Sequence, residues 1–243
     1  MPEKKIKIRL FTLPNLLTLG NLFCGCLAIL YALHCGSPDI LDALRLDELQ
    51  FVFWLLAGAA VFDFLDGFAA RLTGQYSALG RELDSLADMV SFGVAPAAIL
   101  FRIHQAAGGI GAWGFFVFVV ALFSALRLAK FNIDESQHDD FIGLPTPANA
   151  IFIASAGHIY ASGLFAVQPW LVLLAAAILS CLLIAPVCMF SLKFKHFGWR
   201  GNEWRYLFLL AALAGVVVWG ILAIPFIITG YVAGSVVKHS AQV

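Results

Sequence analysis

Apolar runs long enough to cross a bilayer recur along almost the whole chain, separated by short polar stretches. A helix needs about 20 apolar residues to cross the hydrocarbon core. The pattern predicts spans near 13–34, 50–72, 82–103, 111–131, 147–164 and 169–191. A last apolar stretch, 205–237, is longer than one ordinary span, and Gly220 to Pro225 is the natural place for a hairpin between two shorter helices. The expected fold is therefore all-α: a polytopic helical bundle in the membrane with eight transmembrane helices. Residues 35–49 read as an outer loop in which Asp39, Asp42, Asp47 and Glu48 are solvated. Residues 132–146 and 192–204 read as inner loops, and no soluble domain, low-complexity tract or internal repeat is visible.

Composition strengthens this reading. The chain of 243 residues is 61% hydrophobic and only 12% charged, with a mean hydropathy of +0.90. Soluble domains average about 25% charged residues, so this chain lacks the surface that water requires. It is expected to be an integral protein of the cytoplasmic (inner) membrane. The formal net charge is zero, and no basic cluster with interleaved aromatics points to nucleic acid. Cys24, Cys26, Cys35, Cys181 and Cys188 lack the paired spacing of a zinc or disulfide framework and read as free thiols. The first apolar run has no clear small-residue cleavage site and is not expected to be a removable signal.

Charge placement orients the spans. With eight spans and a cytoplasmic N-terminus, the inside carries Lys4, Lys5, Lys7, Arg9, Arg71, Arg81, Arg127, Lys130, Lys193, Lys195, Arg200, Arg205 and Lys238, and the outside only Arg45 and Arg102. Thirteen against two is a strong positive-inside bias. Seven spans would move only Lys238, so eight rests on the hairpin. The mixed basic and apolar segment from Lys4 to Phe11 reads first as an ordinary inner flank. Its second reading is a segment lying on an anionic leaflet.

Four acids interrupt the apolar pattern. They fall as Asp63-x-x-Asp66-Gly67-x-x-Ala70-Arg71, then, eight residues later, as Gly80-x-x-x-Asp84-x-x-x-Asp88. A carboxylate at the centre of a membrane helix costs roughly 2.5–3.5 kcal/mol on insertion scales, so four together need compensation. Steps of three and four residues put Asp63, Asp66, Gly67 and Ala70 on one face of the second span, and Gly80, Asp84 and Asp88 on one face of the third. Asp63 lies eight residues before Arg71, about 12 Å into the membrane at 1.5 Å per residue. An all-oxygen cluster suits Mg²⁺, Mn²⁺ or Ca²⁺ rather than zinc or copper. Up to four negative charges match two divalent ions, and paired ions can clamp a phosphoryl group. Gly67 and Gly80 permit a ligand to approach the backbone, and Arg71 at the rim suits phosphate. A lone intramembrane Asp is as often a packing or transport residue; the spaced set is far more specific than any member.

This pattern resembles the signature of the CDP-alcohol phosphotransferases, with every position filled and the spacing undisturbed. The resemblance implies a six-helix membrane core, here residues 13–191. It would follow a basic segment at 1–12 and precede a loop and hairpin at 192–243. It also implies two divalent metals, Mg²⁺ or Mn²⁺, held by Asp63, Asp66 and Asp84, with Asp88 as general base and further metal contact. Three more segments look like the phosphatidylserine synthase branch of the family: Leu13-Pro14-Asn15-Leu16-Leu17-Thr18 through Gly25, Leu126-Arg127-Leu128-Ala129-Lys130-Phe131-Asn132, and Phe141-Ile142-Gly143-Leu144-Pro145-Thr146-Pro147-Ala148. That branch often has Arg where this chain has Lys130, which keeps the charge. The resemblance covers most of 13–150; beyond it only hydrophobicity matches.

On this basis the expected donor is CDP-diacylglycerol, contacted by Asn15, Thr18, Asp63, Gly67, Arg71, Ser77 and Gly80. The expected acceptor is L-serine, held by Arg127, Lys130 and Thr146, in a homodimer working at the cytoplasmic face beside membrane lipid. Simpler readings stand beside these: Thr12 and Pro14 also suit a helix start, Arg127 and Lys130 also suit an inner flank, and His138, Asp139 and Asp140 read as a solvated loop. The rival acceptors are glycerol 3-phosphate and inositol. The rival class is a cation transporter, disfavoured because such sites sit near the midplane between repeated halves.

Overall fold

Helix boundaries follow local capping chemistry closely. The computed structural model describes residues 10–133, 141–189 and 202–240. The basic segment at Lys4 to Arg9, the His138-Asp139-Asp140 cluster, and Lys193, Lys195, His196 and Arg200 lie outside the described residues. Helix α1 (Leu13–Ala32) starts where Thr12 Oγ1 accepts from the Asn15 backbone N–H at 3.4 Å, with Pro14 in its first turn. The expected loop at 35–49 contains a short helix, α2 (Pro38–Leu44), and its last acids are not merely solvated. Asp47 caps α3 (Glu48–Thr73) in a reciprocal box with Gln50, and the Glu48 carboxylate meets His34 and, at 3.8 Å, Arg102.

Gly74, at φ 65°, ends α3 in the left-handed conformation that suits glycine. Three residues later Ser77 Oγ accepts from the Gly80 N–H at 2.9 Å and starts α4 (Ala78–Asp88). So short a connection reverses the chain into α4, which packs against α1. The helix continues through one π-helical turn, Met89–Val94, into α5 (Ala95–Ala106). Such a wide turn shifts the register of everything beyond it and is frequent at functional sites. A 3₁₀ stretch, Gly111–Phe118, leads into α6 (Val119–Ile133), followed by α7 (Thr146–Ala161) and α8 (Pro169–Ile184).

The sixth expected span, 169–191, ends early. Pro186 pushes Ala185 into an extended conformation (ψ 138°), which closes α8 at Ile184. The chain after it forms β2 (Cys188–Met189), antiparallel to β1 (Phe141–Ile142), a two-residue clip that sequence periodicity did not reveal. The C-terminal stretch divides where expected. Helix α9 (Glu203–Trp219) stops at Gly220 (φ 57°), and α10 (Ala223–Ser240) folds back on it. Gly215 then faces Ala223, and the Phe208 and Tyr231 rings sit 5.9 Å apart.

The bundle is built inside-out relative to a soluble protein. Small and branched residues such as Ala28, Val52, Leu56, Ile99, Val120 and Ile153 fill the core. Large apolar side chains, among them Phe23, Trp54, Phe64, Leu122 and Trp170, point outward. Segments Leu13–Ala32, Glu48–Thr73, Ala78–Ala106, Gly111–Ile133 and Glu203–Val237 have the length and hydropathy to cross a membrane, the last being the hairpin pair; α7 and α8 are shorter. The protein is an all-α polytopic membrane protein, and Cys24, Cys26, Cys35 and Cys181 are free thiols.

Helix α1 lies along α3 and crosses the π-helical turn at its closest point. A Cβ on Gly25 would stand 2.8 Å from Ser91 Cα, and backbone cannot rotate away. Gly25→Val is therefore expected to push α1 off this turn and to cost about 1–3 kcal/mol, as overpacking does. A thermal midpoint in detergent equal to wild type would contradict this.

Candidate active site

Three helices bring the acids together near the α3–α4 turn. Asp63 and Asp66 come from the last turns of α3 and Asp84 from α4, and each offers an oxygen within 4.8 Å of the others. Asp88 follows one turn further along α4. Helix α1 supplies their hydrogen-bond partners: Thr18 Oγ1 lies 2.6 Å from Asp66 Oδ2, and Asn21 Nδ2 donates to Asp88 Oδ1 at 3.0 Å. Ser91 Oγ in the π-helical turn donates to the Asn21 carbonyl at 3.0 Å, which ties the two helices at the same level. Asp66 and Asp88 are buried, and Asp84 Oδ1 is buried without a partner.

Electrostatics then limits what this cluster can be. Two unit charges 4.8 Å apart repel by about 3.5 kcal/mol at an effective dielectric of about 20. Among the described residues, no lysine or arginine forms an ion pair with any of the four; the ion pairs converge on Glu48 at the other end of α3. An all-oxygen cluster with an unsatisfied buried oxygen and, among the described residues, no ion pair to a lysine or arginine fits a hard divalent ion. The donor set thus suits the metal type expected from the sequence.

Two cavities meet at the cluster. One, of about 250 Å³, is lined by Asn15, Thr18, Asp66, Gly67, Tyr76, Ser77 and Gly80. The other, of about 450 Å³, is lined by Asp84, Ser85, Asp88, Arg127, Asn132 and Thr146, with Pro145 and Pro147 at α7's start. Arg81 and Asp84 line both. A larger apolar groove of about 780 Å³ between α9 and α10 has no titratable lining residue.

The residues singled out from sequence distribute unevenly over this geometry. Asn15 and Thr18 face the smaller cavity, with Asn15 Nδ2 donating to the Leu10 carbonyl at 2.8 Å. Gly67 leaves open space where a side chain would be. At Gly80 a Cβ would stand 3.1 Å from Ser77 Oγ and 3.3 Å from Asn15 Oδ1, so close packing needs glycine there. Ser77 lines the cavity while capping α4. Arg71 is not brought in: its Nε donates to the Gly67 carbonyl at 3.1 Å, its side chain is exposed, and neither cavity is lined by it. Arg127 Nη1 donates to Thr146 Oγ1 at 2.8 Å on the wall of the larger cavity. Lys130 is exposed and borders a separate crevice with Arg127, Ile142 and Leu183.

Sequence reasoning missed three contributors. Arg81 borders both cavities, and Asn132 Nδ2 donates to Ser85 Oγ at 2.7 Å, tying α6 to α4. Asn21 carried a readable signal. Asn15, Thr18 and Asn21 recur every three residues through an otherwise apolar span, and all three are buried.

Comparison with known proteins agrees with this picture. A family model described as CDP-alcohol phosphatidyltransferase matches residues 11–187. A protein of Helicobacter pylori strain J99 named "CDP-diacylglycerol--serine O-phosphatidyltransferase" is 40% identical over 149 residues, 59% of this chain and 56% of that one. Proteins of the same name are 34% identical over 195 residues in Bacillus subtilis (79% of this chain, 94% of that one) and 34% over 145 residues in Methanocaldococcus jannaschii (60% of each). The chain thus spans little more than half the length of the Helicobacter proteins it matches.

Proposed function

The chain belongs to the CDP-alcohol phosphatidyltransferase family, and from that premise we infer that it transfers the phosphatidyl group of CDP-diacylglycerol to L-serine, releasing CMP. The observation that carries this reading is the pair of cavities sharing a wall at Arg81 and Asp84, with the carboxylates between them. The smaller takes the cytidine diphosphate of the donor, through Asn15, Thr18, Gly67, Ser77 and Gly80. Arg81 is better placed than Arg71 for its phosphates. The larger takes the amino acid, whose carboxylate faces Arg127, beside Thr146, with Lys130 adding positive charge nearby.

Asp63, Asp66 and Asp84 would hold two divalent ions, Mg²⁺ or Mn²⁺, with Asp88 as a further contact. Bound there, the ions would polarise the pyrophosphate and offset charge as the bond to CMP breaks. The chain's own contribution is orientation and proton transfer. Thr18 fixes one carboxylate oxygen of Asp66, and Asn21 fixes Oδ1 of Asp88. That leaves Asp88 Oδ2 to take the serine hydroxyl proton as the oxygen attacks the phosphorus bearing the lipid. The P–O bond to CMP breaks, and phosphatidylserine stays in the bilayer.

Other features follow from the same reading. The protein works as a homodimer in the cytoplasmic membrane, with eight spans, a cytoplasmic N-terminus and the site facing the cytoplasm. Residues 13–191 form the catalytic core, and 192–243 a loop and hairpin added to it.

The direct test is purified protein with labelled serine and CDP-diacylglycerol, with and without EDTA. The expected result is labelled phosphatidylserine and CMP in equal amounts, both lost on chelation. CMP release driven by glycerol 3-phosphate or inositol instead of serine would refute the acceptor assignment. Metal-dependent cation flux in liposomes without CMP turnover would refute the enzyme reading altogether.

A further inference from the structure

Beneath the Arg127–Thr146 pair lies a second polar layer that the reaction as described does not use. Helix α6 runs toward the inner loop and α7 runs away from it, so stepping back from Arg127 to Ser124 and forward from Thr146 to Asn149 moves in the same direction. Each step is three residues, just under one turn, about 4.5 Å along the axis. Ser124 and Asn149 therefore share a level just deeper than the larger cavity, on the faces that carry Arg127 and Thr146. Both are fully buried. Ser124 Oγ, Asn149 Oδ1, Asn149 Nδ2 and Arg127 Nε all lack a hydrogen-bond partner.

The surroundings make this layer costly to keep. A Cβ on Gly93 would stand 3.3 Å from Ser124 Cβ, so the π-helical turn closes one side. Ala150, beside Asn149, packs with Phe92 and Ala59 in a small apolar cluster. Unpaired polar groups in such a place destabilise a fold. The groups are nevertheless complementary: Arg127 Nε and Asn149 Nδ2 donate, Asn149 Oδ1 accepts, and Ser124 Oγ does either.

We propose that Ser124 and Asn149 are positioning residues for Arg127, setting the affinity of the larger cavity for an acceptor that carries a carboxylate. Arg127 commits Nη1 to Thr146 on one edge. The deeper layer offers the still unpaired Nε edge two acceptors, Ser124 Oγ and Asn149 Oδ1, to be taken up when a carboxylate binds the remaining edge of the guanidinium. Buried donors and acceptors that gain partners only when the acceptor is bound favour the bound state. This rests on the acceptor reading above, and its test separates the two.

The experiment compares full-length wild type, Asn149→Leu and Ser124→Ala in detergent, measuring KM for serine, KM for CDP-diacylglycerol, kcat and the thermal midpoint. Asn149→Leu is expected to raise the serine KM about tenfold with the donor KM within about twofold, and without lowering the midpoint. Ser124→Ala, nearly isosteric, is expected to raise the serine KM about threefold with the same split. An unchanged serine KM in Asn149→Leu, whatever its midpoint, overturns the proposal. If Asn149→Leu fails to fold, Ser124→Ala decides alone, a wild-type serine KM overturning it. Failure of the serine reading appears earlier, in the wild type, as CMP release without serine dependence. The KM split is then read with whichever acceptor drives release, and the same outcomes apply.

Discussion

Asp88→Asn is expected to lower kcat by about 10²–10⁴, the range over which a positioned general base contributes, with CDP-diacylglycerol binding largely retained. The substitution keeps the shape of the side chain and an oxygen able to accept from Asn21 Nδ2, as Asp88 Oδ1 does at 3.0 Å. It removes only the capacity to take a proton at the other oxygen. The three acids that cluster within 4.8 Å, Asp63, Asp66 and Asp84, are untouched. Single-turnover kinetics together with donor binding by CMP displacement separate the two effects. Wild-type turnover in this variant would remove Asp88 from its role.

Metal removal should have the larger effect on the wild type. Chelation is expected to abolish turnover, and Mg²⁺ or Mn²⁺ to restore it. Because the ion binds only the folded protein, metal at about 100 times its Kd should also stabilise the fold by about 2.7 kcal/mol. Asp63→Ala separates this from a general salt effect by opposite signs in one melting series. Without metal, loss of one charge relieves repulsion within the trio, so the midpoint rises above wild type. With metal, the ion-dependent rise disappears and turnover is lost. Full activity after exhaustive chelation would show that the carboxylates are not a metal centre.

Much of this was legible in the chain because helical spacing is a strong constraint. Steps of three and four residues placed Asp63 with Asp66 and Asp84 with Asp88, and a four-residue connection left only a tight antiparallel turn to bring the faces together. The hairpin at Gly220 was legible for a similar reason, since a 33-residue apolar stretch at 205–237 exceeds the hydrocarbon thickness. What escaped depends on side-chain direction and backbone register. Arg71 and Arg81 both flank the turn, and nothing in their spacing tells which guanidinium folds back on its own helix and which borders the cavities. The π-helical turn at Met89–Val94 is a change of hydrogen-bond register that Gly93 and the nearby Pro96 mark in the sequence, but an unbroken apolar run conceals it. Asp47 and Glu48 looked like loop charges because capping and ion pairing are decided by neighbours brought close in space. The early end of α8 was available in principle, since Pro186 marks it, but hydropathy alone ran through it.

Helix α1 faces two environments at once. Its buried stripe of Asn15, Thr18 and Asn21 holds two of the acids, while Leu13, Leu16, Leu19 and Phe23 on other faces are exposed along the outside of the bundle. The same rod thus presents an apolar face to the outside and mounts two of the four acids. Helices answer hydrophobic mismatch by tilting, so bilayer thickness acts on the donors that hold Asp66 and Asp88. On the proposed reading, the acid geometry would be tuned by the thickness of the very membrane whose lipid the protein supplies.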